Sequence, residues 1–359
     1  MSEIKNCLIY FKNKKINELE GVQSVIDGCS ANGYFFDRVY FVAYDSSAEI
    51  ISAVKDGVAN YRNVLLYCPD SMENTLKNYF CELLKCEFDD LNVLRSGELS
   101  VYLITVGSDI KSRVEYFCKS LSKKYGVNFN KAYIKCVGAP SAKINSAIIG
   151  AKELCPALSV NVKGKYGECS IELVYDDTVK KAEFDAAFRK LAGDLQEYLY
   201  ALEDVTLVQR FVDLLKLRRM VISVAESFTG GGIGRRLVEI SGVSEVYFEG
   251  LNTYSNEAKM QRLGVREETL KSFGAVSKET AFEMAQGLLK SGNCNVCIAT
   301  TGIAGPNSDN TKKPVGLAYI AVGVDDDIKV YEYNLKGSRK QITETAVNLA
   351  LFLAFKTLK

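Results

Sequence analysis

The stretch VAESFTGGGIG, Val224 to Gly234, places a carboxylate, two hydroxyls, a Phe and three consecutive glycines after a short apolar run from Met220 to Ala225. A strand that runs through a Gly-rich turn into a helix presents unpaired backbone N–H groups, which suit a phosphate or an oxyanion. Glycine also lets a ligand approach the main chain. Read alone, the same stretch is a tight turn in which Ser227 and Thr229 cap a helix. The chain contains no histidine, so Ser-His-Asp and Cys-His arrangements and His-ligated metals are excluded. Any nucleophile must take its activation from Lys, a carboxylate, Tyr, a terminal amine or a bound ion.

A second loop shares these properties. TTGIAGPNSDNTKKPVG, residues 300 to 316, also follows an apolar run and offers Thr300, Thr301, Gly302 and Gly305. In an open α/β sheet, ligands bind beyond the carboxyl ends of the strands, so both loops can face one pocket. Between them lies NTYSNEAK, with Lys259 at a predicted helix start beside Tyr254 and Asn256. A helical Lys is ordinarily solvated, but a desolvated Lys beside a Ser can accept the hydroxyl proton.

Positioning such loops needs a framework, and the length of 359 residues suits two or three domains. Formal net charge is +1 without long basic runs, which argues against a nucleic-acid footprint. The absence of any uninterrupted apolar run of about 18 residues argues against a membrane span, and the first residues read as a strand; the expectation is a cytoplasmic protein. Eleven cysteines are scattered without a disulfide framework, and Cys294 with Cys297 reads as a pair of buried thiols.

Residues 1–125 alternate strand-like runs (NCLIYF, RVYFVAY, NVLLYC, SVYLITVG) with helical stretches, which predicts a parallel, Rossmann-like α/β domain. Asp70 and Glu73 after NVLLYC could bind a cation, but a helix start capped by Asp70 or Ser71 is the simpler reading. Residues 126–202 read as a small α+β module: a strand, a helix, a hairpin turning at Gly-Lys-Tyr-Gly, and a long helix from Val179 to about Leu202. Residues 203–359 read as a third α/β domain, with helix Val205–Arg218, strand MVISVA, helix Ile233–Ile240 and a last helix Ser338–Leu358.

VAESFTGGGIGRRL, TYSNEAKMQRLGV, GAVSKETAFEMAQG and ATTGIAGPNSDNTKKPVGLAYI resemble the CinA C-terminal domain, the nicotinamide-nucleotide amidase family, over roughly residues 203 to 359. The resemblance implies a three-layer α/β fold, no metal or other cofactor, a frequent homodimer, and hydrolysis of the carboxamide of nicotinamide mononucleotide, a pyridine nucleotide, to nicotinate mononucleotide and ammonia. It also implies roles residue by residue. Ser227 is the nucleophile, Lys259 the base and Tyr254 a third catalytic residue, and Tyr254 and Asn256 line the site. Glu226, Thr229, Gly230, Gly231, Thr301, Gly302 and Gly305 belong to the substrate-binding loops, and Arg339 binds substrate phosphate.

The chain departs from the family pattern twice. Phe228 stands where Cys is usual and would narrow the pocket if it points inward. Asn307 to Thr311 replaces a usual Gly-Gly. The first two segments resemble longer family members, which begin with a molybdopterin-binding-like domain and a small KH-like α+β domain. The motifs of the former are missing, implying a degenerate domain. The alternative is a catalytically inactive nucleotide-binding or scaffold member of the same family.

Overall fold

The computed structural model describes residues 4–12, 19–308 and 312–359. Two compact units emerge: Met1–Lys131 with Ala157–Asn161 and Leu173–Lys181, and Ala132–Pro156 with Val162–Glu172 and Ala182–Lys359.

The first unit runs β1 (Asn6–Lys12), α1 (Glu20–Ala31), β2 (Arg38–Ala43), α2 (Ser47–Asn60), β3 (Asn63–Cys68), α3 (Glu73–Leu84), β4 (Val93–Ser96), β5 (Leu99–Thr105) and α4 (Ile110–Tyr125). Its sheet has the order β2-β1-β3-β5-β4, parallel except for β4 against β5. Alternation along β1 and β3 sends Ile9 and Leu66 to one face with Val54, Leu76 and Phe80. Leu8 and Leu65 face Val25, Phe117 and Leu121 on the other. Burial on both faces explains the continuous apolar runs. Asp70 does not cap α3: it starts a single 3-10 turn, and Met72 precedes the helix without a side-chain cap. Its carboxylate instead accepts from the Gly107 N–H at 3.1 Å.

The middle segment forms β6 (Phe129–Val137), α5 (Ser141–Leu154), β7 (Ser159–Lys165), β8 (Glu168–Asp176), α6 (Lys181–Asp194) and β9 (Leu199–Ala201), with strand order β7-β8-β6-β9. The hairpin turns on Tyr166 and Gly167, both at positive φ (55° and 76°), as a two-residue turn of this hand requires. The predicted long helix ends earlier, at Asp194. Leu199 to Ala201 leave it to pair antiparallel with β6, and the Tyr200 hydroxyl donates to Glu168. Sheet pairing therefore takes three residues that helical periodicity alone assigned to α6.

The C-terminal part contains α7 (Leu207–Arg218), β10 (Ile222–Glu226), α8 (Gly232–Val238), β11 (Tyr247–Asn252), α9 (Asn256–Leu263), α10 (Glu267–Phe273), α11 (Lys278–Lys290), β12 (Val296–Gly302), β13 (Leu317–Val324), β14 (Asp327–Asn334) and α12 (Arg339–Leu358). The sheet order is β11-β10-β12-β13-β14; the first three strands are parallel and the last two antiparallel. Val224, Ile298 and Ile320 pack with residues of α7, α8 and α12 on one face. Ala225, Cys297, Ala299 and Ala321 pack with α9, α10 and α11 on the other. This is a three-layer α/β fold. Cys294 and Cys297 are buried free thiols.

Side-chain caps fix several helix starts. Ser255 accepts from Ala258 N, Ser277 from Thr280 N, and Ser338 with Gln341 forms a capping box at α12. Gly316 sits at φ 94°, and a Cβ there would lie 1.9 Å from the Leu335 carbonyl oxygen, so only glycine fits the crossing into β13. Among the described residues no helix is long and apolar enough to cross a membrane.

Candidate active site

The parallel strands β11, β10 and β12 end side by side, which brings three distant segments together. Ser227 follows β10, Thr253 and Tyr254 follow β11, and Thr300 lies at the end of β12. The ladder continues past the strand ends: the Ser227 N–H donates to the Thr300 carbonyl at 3.1 Å, and the Thr253 N–H to the Glu226 carbonyl at 2.9 Å. The chain crosses from β10 to β11 through α8, then passes to β12 on the other side of β10. This reversal at β10 is the switch point at which open α/β sheets place ligands.

Lys259, in the first turns of α9, is 1% exposed and Ser227 is 8% exposed. The Lys259 Nζ lies 3.0 Å from Ser227 Oγ, 2.8 Å from the Thr253 carbonyl oxygen and 3.0 Å from the Tyr254 carbonyl oxygen. Burial pulls its pKa from 10.5 down to about 8, because the charged form loses water. Two main-chain acceptors occupy two N–H groups. The third direction points at the serine, where the lone pair of a neutral amine can accept a hydrogen bond from the hydroxyl.

The turn after Ser227 closes through Gly230 N–H to the Ser227 carbonyl and Gly232 N–H to the Thr229 carbonyl. Gly230 and Gly231 take φ of 61° and 88°. Among the described residues, nothing accepts from the N–H groups of Phe228 and Thr229. Thr229 Oγ1 lies 2.7 Å from Thr300 Oγ1, both buried.

Several expected roles change. The α8 start is not open to a ligand, and neither Ser227 nor Thr229 caps it. Gly231 is the capping position, and the buried Glu226 carboxylate accepts from the Ile233 and Gly234 N–H groups at 2.9–3.1 Å. Alternation at the end of β10 turns Glu226 toward α8 and Ser227 toward α9. Glu226 therefore serves the helix rather than a bound substrate.

Tyr254 contributes its carbonyl to Lys259 while its side chain is 67% exposed. Asn256 opens α9 with an exposed side chain, away from the hydrogen bonds that join Ser227 and Lys259. The Thr301 hydroxyl donates to the Ala275 carbonyl at 2.7 Å. Gly302 packs too tightly for a Cβ, with the Leu317 carbonyl oxygen at 2.9 Å and Phe228 Cε1 at 3.0 Å. Gly305 adopts φ 78°, and its carbonyl accepts from Arg339 Nη1 at 2.7 Å. Arg339 thus holds the second loop from the first turn of α12.

Phe228 does not enter the site. It is buried with Ala304, Ala318, Ile342 and Ala346, on the side of α12. Of the Asn307–Thr311 stretch, Asp309, Asn310 and Thr311 lie outside the described residues. Sequence reasoning missed Thr253, whose part is played by a main-chain carbonyl that residue type does not reveal. It also passed over Thr300 in favour of Thr301, although the pleat sends these neighbours to opposite faces.

Together the fold and these contacts define a three-layer α/β protein with a buried serine–lysine pair at the carboxyl ends of its parallel strands. Residues 204–358 match the family model of the CinA C-terminal domain. A protein of Caldicellulosiruptor saccharolyticus whose name describes it as competence-damage inducible is 44% identical over 183 residues, covering 51% of this chain and 44% of that protein. A CinA-like protein of Kosmotoga olearia is 44% identical over 163 residues, covering 45% of this chain and 40% of its own length. The matched part of this chain therefore spans less than half the length of these curated relatives. Among solved structures, a CinA superfamily protein of Klebsiella pneumoniae is 30% identical with a TM-score of 0.42, covering 42% of this chain and 95% of that one. A competence/damage inducible protein of Agrobacterium tumefaciens is 39% identical with a TM-score of 0.40, covering 42% and 93%. Residues 204–358 therefore belong to the CinA C-terminal domain family.

Proposed function

We propose that the C-terminal domain hydrolyses a carboxamide through a serine–lysine mechanism, with nicotinamide mononucleotide as substrate. The observation that carries this reading is the 3.0 Å approach of Lys259 Nζ to Ser227 Oγ, with the lysine buried and its two other hydrogen bonds spent on carbonyls. Lys259 in its neutral form takes the Ser227 proton as Oγ attacks the carboxamide carbon. The N–H groups of Phe228 and Thr229 hold the developing oxyanion, a contribution of about 2.7–4 kcal/mol per donor in comparable sites. The intermediate collapses by breaking the C–N bond, and the Lys259 ammonium returns its proton to the departing nitrogen, which leaves as ammonia. Water, deprotonated by Lys259, then attacks the acyl-enzyme and releases the carboxylate product and free Ser227.

The choice of substrate rests on the family resemblance of the two loops. The exposed guanidinium of Arg339 retains donors beyond the one given to Gly305, and its forked geometry suits a phosphate. The homodimer rests on the same resemblance, and the cytoplasmic location on the sequence's lack of a long uninterrupted apolar run. Ammonia release from nicotinamide mononucleotide, compared between the native chain and Ser227→Ala, tests the reading. Release that is equal in both would remove the covalent mechanism, and none in either at high enzyme concentration would remove the activity.

A further inference from the structure

Two buried hydroxyls, Thr229 Oγ1 and Thr300 Oγ1, lie 2.7 Å apart, and the environment decides which one donates. Each carries one proton, so the pair has two protons and one shared hydrogen bond. Thr300 is 0% exposed, in the last turns of the pleat of β12. Among the described residues its hydroxyl has no other acceptor. If Thr229 donated, the Thr300 proton would be left enclosed without a partner, at a cost of about 1–3 kcal/mol. The favoured arrangement has Thr300 donating to Thr229.

The Thr229 proton is then unspent. Thr229 sits in the turn that follows Ser227 and keeps an 8% exposed fraction, against 0% for Thr300. Accepting one hydrogen bond makes a hydroxyl a better donor in the next. The same turn holds the Phe228 and Thr229 N–H groups, which also lack protein acceptors among the described residues. Lys259 reaches the Ser227 hydroxyl from the β11 side, while the Thr300 carbonyl accepts the Ser227 N–H from the β12 side, the strand whose hydroxyl holds Thr229.

We infer that the Thr229 hydroxyl is a third, side-chain donor to the oxyanion formed on Ser227, and that Thr300 is a positioning residue that sets its direction. This rests on the serine–lysine reading and adds two residues to it. No new bond is made by either threonine: the Thr229 proton is shared with the substrate oxygen as its charge develops and stays with Thr229 when the intermediate collapses.

The test uses the full chain and p-nitrophenyl acetate, whose release of p-nitrophenolate reports acylation of Ser227 without depending on the nucleotide substrate. Thr229→Val should lower the acylation rate constant by ~100-fold with little change in KM, and Thr229→Ser should restore it to within a few-fold. Thr300→Val should lower it by roughly 3- to 10-fold, because Thr229 keeps its proton but loses its polarising donor. Thermal melting of each variant checks that it is folded. A folded Thr229→Val variant that acylates at the native rate, or a loss that Thr229→Ser does not rescue, overturns the inference while leaving the serine–lysine reading intact. If the native chain releases p-nitrophenolate no faster than Ser227→Ala, the serine–lysine reading itself falls and the inference falls with it.

Discussion

Titrating the Ser227 acylation rate from about pH 6 to about pH 10 reads the protonation state of Lys259, because only the neutral amine accepts the serine proton. With its pKa lowered to about 8 by burial, roughly 10% of the side chain is neutral at pH 7 and roughly 90% at pH 9. The rate should therefore rise about 10-fold between those values and level off above them. An unshifted lysine would be neutral at roughly 0.03% and 3%, giving a rise of about 100-fold with no plateau in the accessible range. The same displacement links to folding. The folded value lies below the unfolded one, so between about pH 8 and about pH 10.5 the unfolded chain binds the extra proton, and stability rises with pH across that window. The penalty present below it is ~3 kcal/mol. Urea unfolding of the native chain and of Lys259→Met at both ends of the window isolates this contribution. A rate that climbs without levelling, or a stability difference between the two chains that does not change with pH, would refute the assignment of a desolvated base.

Other substitutions follow from the contacts around the site. Glu226→Ala strips the α8 start of its acceptor and leaves the Ile233 and Gly234 N–H groups unpaired, which should cost at least ~2 kcal/mol in urea unfolding; Glu226→Gln should cost less. Phe228→Cys, the residue more usual in the resembling family, should lower stability by ~2–4 kcal/mol through the void left among Ala304, Ala318 and Ile342. Because Phe228 points away from Ser227, KM for a small ester should stay within a few-fold of the native value. Gly316→Ala places a Cβ against the Leu335 carbonyl in a left-handed backbone and should lower the unfolding free energy by more than ~2 kcal/mol.

The framework was legible wherever burial on both faces wrote an unmistakable pattern. The apolar runs of β1, β3, β10 and β12 gave strands, and Ser338 marked the start of the last helix, which the structure caps with that hydroxyl. Ser227 and Lys259 were legible because the absence of histidine narrowed the possible bases. What stayed hidden lay in the pleat and in the main chain. Nothing in the letters AES tells that Glu226 turns back to cap α8 while Ser227 turns to Lys259. The carbonyls of Thr253 and Tyr254 belong to no side-chain chemistry, and Phe228 looked able to fill a pocket because its neighbours across α12 are far away in sequence. The short β9 was lost inside a helical pattern because its pairing with β6 is a long-range choice.

The lysine and the serine are 32 positions apart, and the hydroxyl of Thr300 completes the neighbourhood only after β12 has joined β10 on the side opposite β11. A chain still emerging from the ribosome, or one locally unravelled at α9, presents the same serine beside a hydrated amine whose pKa is that of free lysine. Such a chain is chemically quiet. On the proposed serine–lysine reading, the nucleophile is armed only by the closure of the fold around it, so an incompletely folded copy would carry no indiscriminate acyl-transfer reactivity, and catalytic competence would double as a readout of correct folding.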